Sequence, residues 1–441
     1  MTSIVAPALV TEKADAPTGL RARVRFIVGG SIGNLVEWYD WYTYPAFALY
    51  FSKSFFPQGD QTAQLLNAAA IYAIGFMIRP LGSWLMGVYA DRKGRRPALI
   101  LSMLIMGFGS LGVGLIPSYD SIGFMAPVLL VTCRLIQGLS LGGQYAASAT
   151  YVSEMSMRTN RGFWASILFV TLLLGLLLSM LVLLVLQSAL SAEELTAWGW
   201  RIPFLIGAAL AVVALVIILR LAETRSFEAA TKQKAGPPQT WRLMREHWRE
   251  LGIVFIITAA GTTAYQNYTT YMPKFLVNTS GLTPETAARV STLAIFIFMC
   301  MHPVMGWISD KVGRKPLLIA FSALGTVFTV PLMTGLARAN EPWVALVLLV
   351  TALAFLCPYT ATSPLFKAEL FPTEIRALGV GLPFALANAL FAGAAEFTAL
   401  SFKRAGHEHY YFWFLTLFMA IGLVTAIRMR DPQRHSRITE D

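Results

Sequence analysis

Runs of apolar residues long enough to cross a bilayer recur along this chain about twelve times, separated by clusters of charge and turn residues. They lie near 24–51, 64–90, 97–117, 124–152, 163–187, 200–221, 251–276, 286–309, 316–336, 342–366, 377–402 and 410–428. A helix needs roughly 20 apolar residues to cross the hydrocarbon core, whereas a membrane strand needs only about 9–11. In hydrocarbon the backbone must also satisfy its own polar groups, which a helix does alone. The pattern therefore predicts an all-α polytopic membrane protein with twelve transmembrane helices. Composition agrees, since 56% of the 441 residues are hydrophobic and 13% are charged, against about 25% charged in soluble domains.

The chain opens with "MTSIVAPALVTEKADAPTGL", which holds no long apolar core before its charges, so no cleaved signal peptide is expected. The cysteines Cys133, Cys300 and Cys357 all fall in apolar segments and read as inert core thiols without a disulfide framework.

Net charge is +11, and its placement matters more than its size. With both termini cytoplasmic, 25 of the 35 basic residues fall on the inner side and six on the outer side (Lys53, Lys274, Arg289, Arg338, Lys403 and Arg404). The inner count takes Lys367 and Arg376 as the loop after the tenth span. The positive-inside rule then fixes the orientation, and the basic balance needs no nucleic acid partner.

The longest polar stretch, Glu223 to Glu250, divides the spans six and six. Its Gly-Pro-Pro separates two charged, partly amphipathic pieces suited to the inner membrane face. The expected organisation is an amino tail (1–23), a first six-helix bundle (24–221), a linker (222–250), a second bundle (251–428) and a carboxyl tail (429–441), with tails and linker cytoplasmic.

The halves echo each other. "GVYADRKGRR" from Gly87 matches "GWISDKVGRK" from Gly306 at an offset of 219. "EMSMRTNRG" from Glu154 matches "ELFPTEIRALG" from Glu369 at an offset of 215, with Glu and Arg spaced by seven in both. Two matches at nearly one offset predict two pseudo-symmetric six-helix halves, the plan of transporters that rock about a midplane site.

The duplicated G-x-x-x-D-x-x-G-R-[RK] pattern resembles the signature of the major facilitator superfamily. "NLVEWYD", "FMIRPLGSWLMG", "RLIQGLSLGGQY", "GWRIPF" and "ELFPTEIRALGVG" resemble its metabolite–proton symporter family over about residues 23–428. Within that family "SATYVSE", "TTYMPKFLVN", "FTVPL" and "AEFTALSFK" look most similar to 2-oxoglutarate permeases. The resemblance implies a major facilitator fold and proton-coupled uptake of a small organic anion across a bacterial inner membrane.

Asp91 and Asp310 end spans where a carboxylate bonds the positive end of a neighbouring helix, and Arg95 and Arg314 suit pairing with such carboxylates. Glu154 with Arg161, and Glu369 with Arg376, are spaced to tie the halves together. Contacts made only while the cytoplasmic side is closed bias a two-state equilibrium, which makes these eight residues gating candidates. The alternative is plain topology anchoring by solvated charge pairs.

Arg79 and Arg134 lie in the middle of spans 2 and 4. Arginine keeps its charge, so each needs a buried counter-charge or a bound anion, and two guanidinium forks suit a dicarboxylate. In "GNLVEWYDWYTY", Glu37 and Asp40 share one face of span 1. They are either permanent partners of the arginines or the groups that carry the coupled proton. His302 is a third proton-carrier candidate, a packed hydrogen-bonder being its alternative. Tyr44, Gln144, Tyr265, Tyr268 and Asn388 complete the candidate substrate contacts, with aromatic-belt or packing roles as the alternatives for the tyrosines. Glu396 suits pairing near the outer mouth, and glycine clusters such as Gly138, Gly142 and Gly143 suit close helix packing.

Two departures from the resembled family stand out: Gln144 occupies a position where relatives usually carry an acid, and Leu174 and Leu176 stand where glycine and glutamine are common. A glutamine cannot titrate, so coupling falls to the first span or is weakened.

Neither a Walker loop nor a metal-ligand cluster is present in the sequence, so no enzyme, metal site or cofactor is expected. The expected partners are a small organic anion, protons and the lipid bilayer, and the expected state is a monomer. A zwitterionic-osmolyte symporter and a non-transporting sensor on the same scaffold are the competing readings; the short "RDPQRHSRITED" tail and the two buried arginines favour the anion over the osmolyte.

Overall fold

A computed structural model describes residues 20–56, 61–221, 240–438 and, between the halves, 223, 224 and 227. The first half comprises α1 (Leu20–Phe55), α2 (Gln61–Met77), α3 (Arg79–Lys93), α4 (Arg95–Leu115), the short α5 (Tyr119–Ile122), α6 (Met125–Met155), α7 (Arg161–Ala189), the short α8 (Ala192–Ala197) and α9 (Ile202–Ile218). After α10 (Thr240–Glu246), the second half runs through α11 (Trp248–Gln266), α12 (Met272–Asn278), α13 (Pro284–Val312), α14 (Arg314–Ala337), α15 (Pro342–Leu370), α16 (Arg376–Ala387), α17 (Gly393–Arg404) and α18 (Glu408–Arg428).

Among the described residues nine helical rods are long and apolar enough to cross a membrane. Three more complete twelve: α1, α11 with α12, and α16 with α17. Of these, the rod Arg376–Ala392 is apolar but short, while α1 and the α11–α12 rod carry inward-facing polar residues such as Glu37, Asp40 and Asn267. Side chains that water would reject, including Phe108, Leu184, Val212 and Trp343, form the outer surface. That surface is built for lipid.

Local departures from α-geometry fall on the inner faces. The second span breaks at Ile78, where α2 ends and α3 begins with Pro80 in its first turn. Proline lacks an N–H and clashes with the preceding turn, so the helix is interrupted beside Arg79. The rods of spans 7 and 11 each contain a π-helical segment, Asn267–Tyr271 and Asn388–Ala392. Such segments rotate the side chains that follow and recur at functional sites.

Several sequence expectations need correction. Lys367 is not in a loop: it lies inside α15, fully buried. Cys300 is exposed on the lipid-facing surface rather than a core thiol, while Cys357 is buried. Of the linker, α10 is described, with Trp241 and the following Trp248 exposed; the Gly-Pro-Pro at 236–238, most of the amino tail (residues 1–19) and the Glu396 side chain lie outside the described residues.

The two halves repeat their contacts as well as their sequence. Arg95 Nη1 donates to the Ala90 carbonyl and Arg314 Nη1 to the Ser309 carbonyl, both at 3.0 Å. Arg161 Nε reaches the Ser156 carbonyl at 3.3 Å and Arg376 Nε the Phe371 carbonyl at 3.2 Å. Arg96 Nη2 holds the Leu219 carbonyl beyond α9, and Lys315 Nζ holds the Met429 carbonyl beyond α18. Gly94 and Gly313, at φ 112° and 98°, adopt a backbone that only glycine takes readily. Beside Gly94 lies the Glu223 carboxylate, and beside Gly313 the Gln433 amide. The residues after α18 thus serve the second half as those after α9 serve the first.

Candidate substrate site and gate

The gating candidates gather at the basic end, where the duplicated loops meet the opposite half. Asp91 accepts from the Ala377 and Leu378 amides at the start of α16, at 3.1 and 3.0 Å. Asp310 accepts from the Gly162 and Phe163 amides at the start of α7, at 2.7 and 3.0 Å. The unpaired N–H groups and partial positive charge of a helix start favour a carboxylate there. A Cβ on Gly162 would stand 2.6 Å from the Gly306 carbonyl, so glycine permits this crossing.

Buried charge joins the halves a second way. Glu154 Oε1 accepts from Arg95 Nη2 at 3.2 Å and from Arg376 Nη1, across the interface, at 2.5 Å. Arg95 Nη2 also reaches the Thr373 carbonyl of the second half at 2.8 Å. The symmetry is imperfect: Glu369 meets Arg314 at 3.6 Å, and its Oε2 lacks a hydrogen-bond partner. The pairing anticipated from the Glu–Arg spacing is therefore exchanged, Glu154 bonding Arg376 of the other half. All eight gating candidates assemble at this one end.

Deeper in the bundle, both mid-span arginines turn inward. Arg134 is fully buried and Arg79 is 5% exposed. The Arg79 guanidinium lies 4.0 Å from the Trp41 ring centroid and 3.8 Å from that of Phe76. Among the described residues it forms no ion pair, and its Nε and Nη2 lack hydrogen-bond partners. Trp41 and Phe76 pack against Ala392, in the π segment of the second half. Arg79 therefore sits where the halves meet.

Arg134 lies over the Tyr44 ring at 4.3 Å and the Trp41 ring at 4.7 Å. Its Nη1 donates to Gln137 Oε1 at 2.8 Å, and Gln137 Nε2 donates to Asp40 Oδ2 at 2.5 Å. Arg134 and Asp40 are 4.0 Å apart, so the glutamine bridges a buried ion pair. The Ser110 hydroxyl donates to the other Asp40 oxygen. Asp40 is thus braced from three sides.

Glu37 differs. It accepts one hydrogen bond, from Ser140 Oγ at 2.7 Å, and makes no ion pair among the described residues. That serine also faces the Ser102 carbonyl at 2.8 Å, and its single proton cannot serve both at once. The two carboxylates of span 1 share a helix face but not an environment.

An unpaired buried cation costs several kcal/mol, and each desolvated cation–π contact returns about 0.5–2 kcal/mol. Aromatic faces alone leave Arg79 short of compensation. A carboxylate presented to its free Nε and Nη2 would supply the bidentate bonds the protein withholds.

The remaining candidates divide. Tyr265 faces the first half, 6.3 Å from Phe169 by ring centroid, with its hydroxyl close to that of Tyr42. Asn388 spans the π segment, accepting from Thr262 Oγ1 at 3.1 Å and donating to the Phe384 carbonyl at 2.8 Å. Tyr44 donates to the Ala68 carbonyl at 3.0 Å, so its ring rather than its hydroxyl faces Arg134. Tyr268 points elsewhere, into a small apolar cleft of the second half lined by Phe321, Thr329 and Met419. Gln144 lies a turn from Ser140, against Gly33 and bonded to Ser148 at 3.2 Å, away from the guanidinium groups. His302 stacks on Phe169 at 5.6 Å and its Nδ1 meets the Phe298 carbonyl at 2.7 Å. A carbonyl only accepts, so Nδ1 carries the hydrogen.

Sequence reasoning missed Trp41, Phe76, Gln137, Ser110 and Ser140. Their signal was faint, because aromatic, serine and glutamine residues are unremarkable in a span until the fold sets them against charge.

The family model of the Major Facilitator Superfamily matches residues 30–395. The chain belongs to the Major Facilitator Superfamily. It is 44% identical to the alpha-ketoglutarate permease of Escherichia coli over 95% of this chain and 96% of that protein. It is 30% identical to the citrate-proton symporter of Salmonella typhi over 89% of this chain and 90% of that one. The proline/betaine transporter of Salmonella typhimurium is also 30% identical, over 92% of this chain and 83% of that protein. Among solved structures, the proton:xylose symporter XylE bound to 6-bromo-6-deoxy-D-glucose aligns with a TM-score of 0.73 at 19% identity, covering 92% of this chain and 94% of that one. FucP in the outward conformation aligns at 0.64 and 16% identity, covering 90% and 98%. These facilitators share the fold, and this one is a multi-pass transporter rather than an enzyme.

Proposed function

We propose that this facilitator imports a small organic dicarboxylate together with protons, 2-oxoglutarate being the first substrate to try. The carrying observation is Arg79, a buried guanidinium bedded on Trp41 and Phe76 with unbonded donors and, among the described residues, no ion pair. Arg134 supplies the second carboxylate contact, with Tyr265 and Asn388 closing from the other half. Glu37 carries the proton, because Asp40 is already committed to Gln137, Ser110 and the nearby Arg134. The eight gate residues form the barrier of the outward-facing state. The basic end is cytoplasmic, the membrane is a bacterial inner membrane, and the monomer is the working unit.

The relatives named for a keto acid and for citrate support an acid over a zwitterion. So does the aromatic bed, since a quaternary ammonium would need the ring faces that Arg79 fills. Counterflow of labelled 2-oxoglutarate in proteoliposomes, with competition by organic acids, proline and betaine, decides the matter. The reading requires acids alone to compete and an inward proton gradient to drive accumulation. Competition by betaine alone replaces the substrate class, indifference to the gradient removes the coupling, and binding without counterflow would make the protein a sensor.

A further inference from the structure

One buried basic residue belongs neither to the candidate site nor to the gating candidates. Lys367 on α15 is fully buried, and no carboxylate lies within 4.0 Å of its ammonium among the described residues. Its Nζ is 4.2 Å from the Phe384 ring centroid and 3.5 Å from the Tyr145 hydroxyl. The rings of Tyr359 and Phe366 stand farther off, at 5.8 and 5.7 Å. The neighbouring acids are engaged elsewhere, Glu369 with Arg314 and Glu154 with Arg95 and Arg376.

The direction of the side chain is informative. Lys367 is three residues from the end of α15, close enough to the basic end for its amine to snorkel there. It does the opposite. Helical side chains lean toward the helix start, and this one follows that lean into the interior, toward Phe384 and Tyr145.

Those two rings form a partition. Tyr145 (α6) and Phe384 (α16) belong to opposite halves and stack at 3.9 Å with an interplanar angle of 16°. Phe384 lies one turn before Asn388, which bonds its carbonyl. Tyr145 follows Arg134 by eleven residues on α6, or about 16 Å along the helix. The arginines thus lie on one side of the stack and the gate charges on the other. When the basic end opens, Tyr145 leaves with the first half. Phe384 and Lys367 stay together on the second, the ammonium newly uncovered.

We infer that Lys367 is a second anion station, which receives a carboxylate of the substrate on the release side after the Tyr145–Phe384 partition opens. The inference rests on the proposed anion transport. A buried ionisable residue within a span is functional by default, and an ammonium without a counter-charge attracts an anion as soon as it is uncovered. Its place on the half opposite Arg79 and Arg134 lets the substrate change halves on its way out.

The test compares 2-oxoglutarate counterflow in oriented vesicles from each face. Lys367→Gln should raise the half-saturating concentration at the basic face about tenfold or more and leave that at the other face within about twofold. Lys367→Arg should keep both near the unmodified values. Equal shifts at both faces, or none, overturn the station, as does an arginine variant as impaired as the glutamine one. The unmodified protein gives an independent reading. Trinitrobenzenesulfonate added at the basic face during transport should label Lys367, detected by peptide mass, and 2-oxoglutarate should slow that labelling. Labelling absent or indifferent to 2-oxoglutarate also overturns it. Absence of 2-oxoglutarate transport in the unmodified protein defeats the substrate reading instead, so the two failures are separable.

Discussion

Glu154 and Arg376 belong to opposite halves of this facilitator and meet at 2.5 Å with neither side chain exposed. Arg95 reaches the same carboxylate oxygen at 3.2 Å and also meets Asp91 at 3.3 Å, so Glu154 bridges two buried guanidinium groups. Removing one partner of a buried pair costs about 3–5 kcal/mol. Glu154→Gln should therefore shift the protein toward the form open at the basic end. Alkylation from that end of a cysteine placed by Ser83→Cys, beside Gly381, should become faster. Glu369→Gln should shift it less, because Glu369 touches Arg314 at 3.6 Å with one oxygen unbonded. Equal effects of the two variants would contradict the asymmetry.

Arg79→Ala should abolish ligand-dependent thermal stabilisation by 2-oxoglutarate, which measures binding by mass action. Affinity should fall at least tenfold, or about 1.4 kcal/mol, while the melting temperature without ligand holds or rises, since an unpaired buried cation is removed. Undiminished stabilisation would make the arginine a structural group.

Glu37 and Asp40 should separate experimentally. Glu37→Gln keeps the Ser140 hydrogen bond available and should retain counterflow while losing accumulation driven by a proton gradient. Asp40→Asn leaves Arg134 without its nearby charge and should lower the melting temperature more than Glu37→Gln does. Gradient-driven uptake persisting in Glu37→Gln would move the coupling to another group.

Glu223 lies beyond the membrane-spanning segments and accepts from the Arg95 and Arg96 amides at 3.1 Å each. Burial pushes its carboxyl above the ordinary 4.5, against the lowering by the Thr224 and Arg96 amides and by Arg95. The native chain then holds this proton more firmly than the unfolded chain. Its contribution to stability is present below the ordinary value and is lost as pH rises through the native one. The melting temperature of the unmodified protein minus that of Glu223→Gln should decline from pH about 4 toward neutrality. A difference that stays flat or grows would refute the shift.

Much of this was legible in the sequence because charge in an apolar run is expensive and therefore conspicuous. Arg79, Arg134, Glu37 and Asp40 announce themselves that way, and the duplicated loops give away the symmetry and the contacts between the halves. Distinguishing Glu37 from Asp40 was not possible, since Gln137 and Ser110 reach Asp40 from helices about 70–100 residues away. Tyr268 lines a cleft of the second half, and the π segment that carries it leaves no mark in the sequence. Lys367 was assigned to a loop because hydropathy reports how near a residue is to a span's end, not which way its amine points.

The segment beyond α18 crosses the cluster of gating candidates through its backbone. Arg376 Nη2 donates to the Arg437 carbonyl at 2.8 Å, the Arg437 amide donates to the Glu369 carbonyl at 3.0 Å, and Lys315 holds the Met429 carbonyl at 2.8 Å. Main-chain atoms make these ties, so drift in residue identity there is cheap. Inserting or deleting a residue between Met429 and Arg437 is not, because it takes the carbonyls out of register with their arginine and lysine.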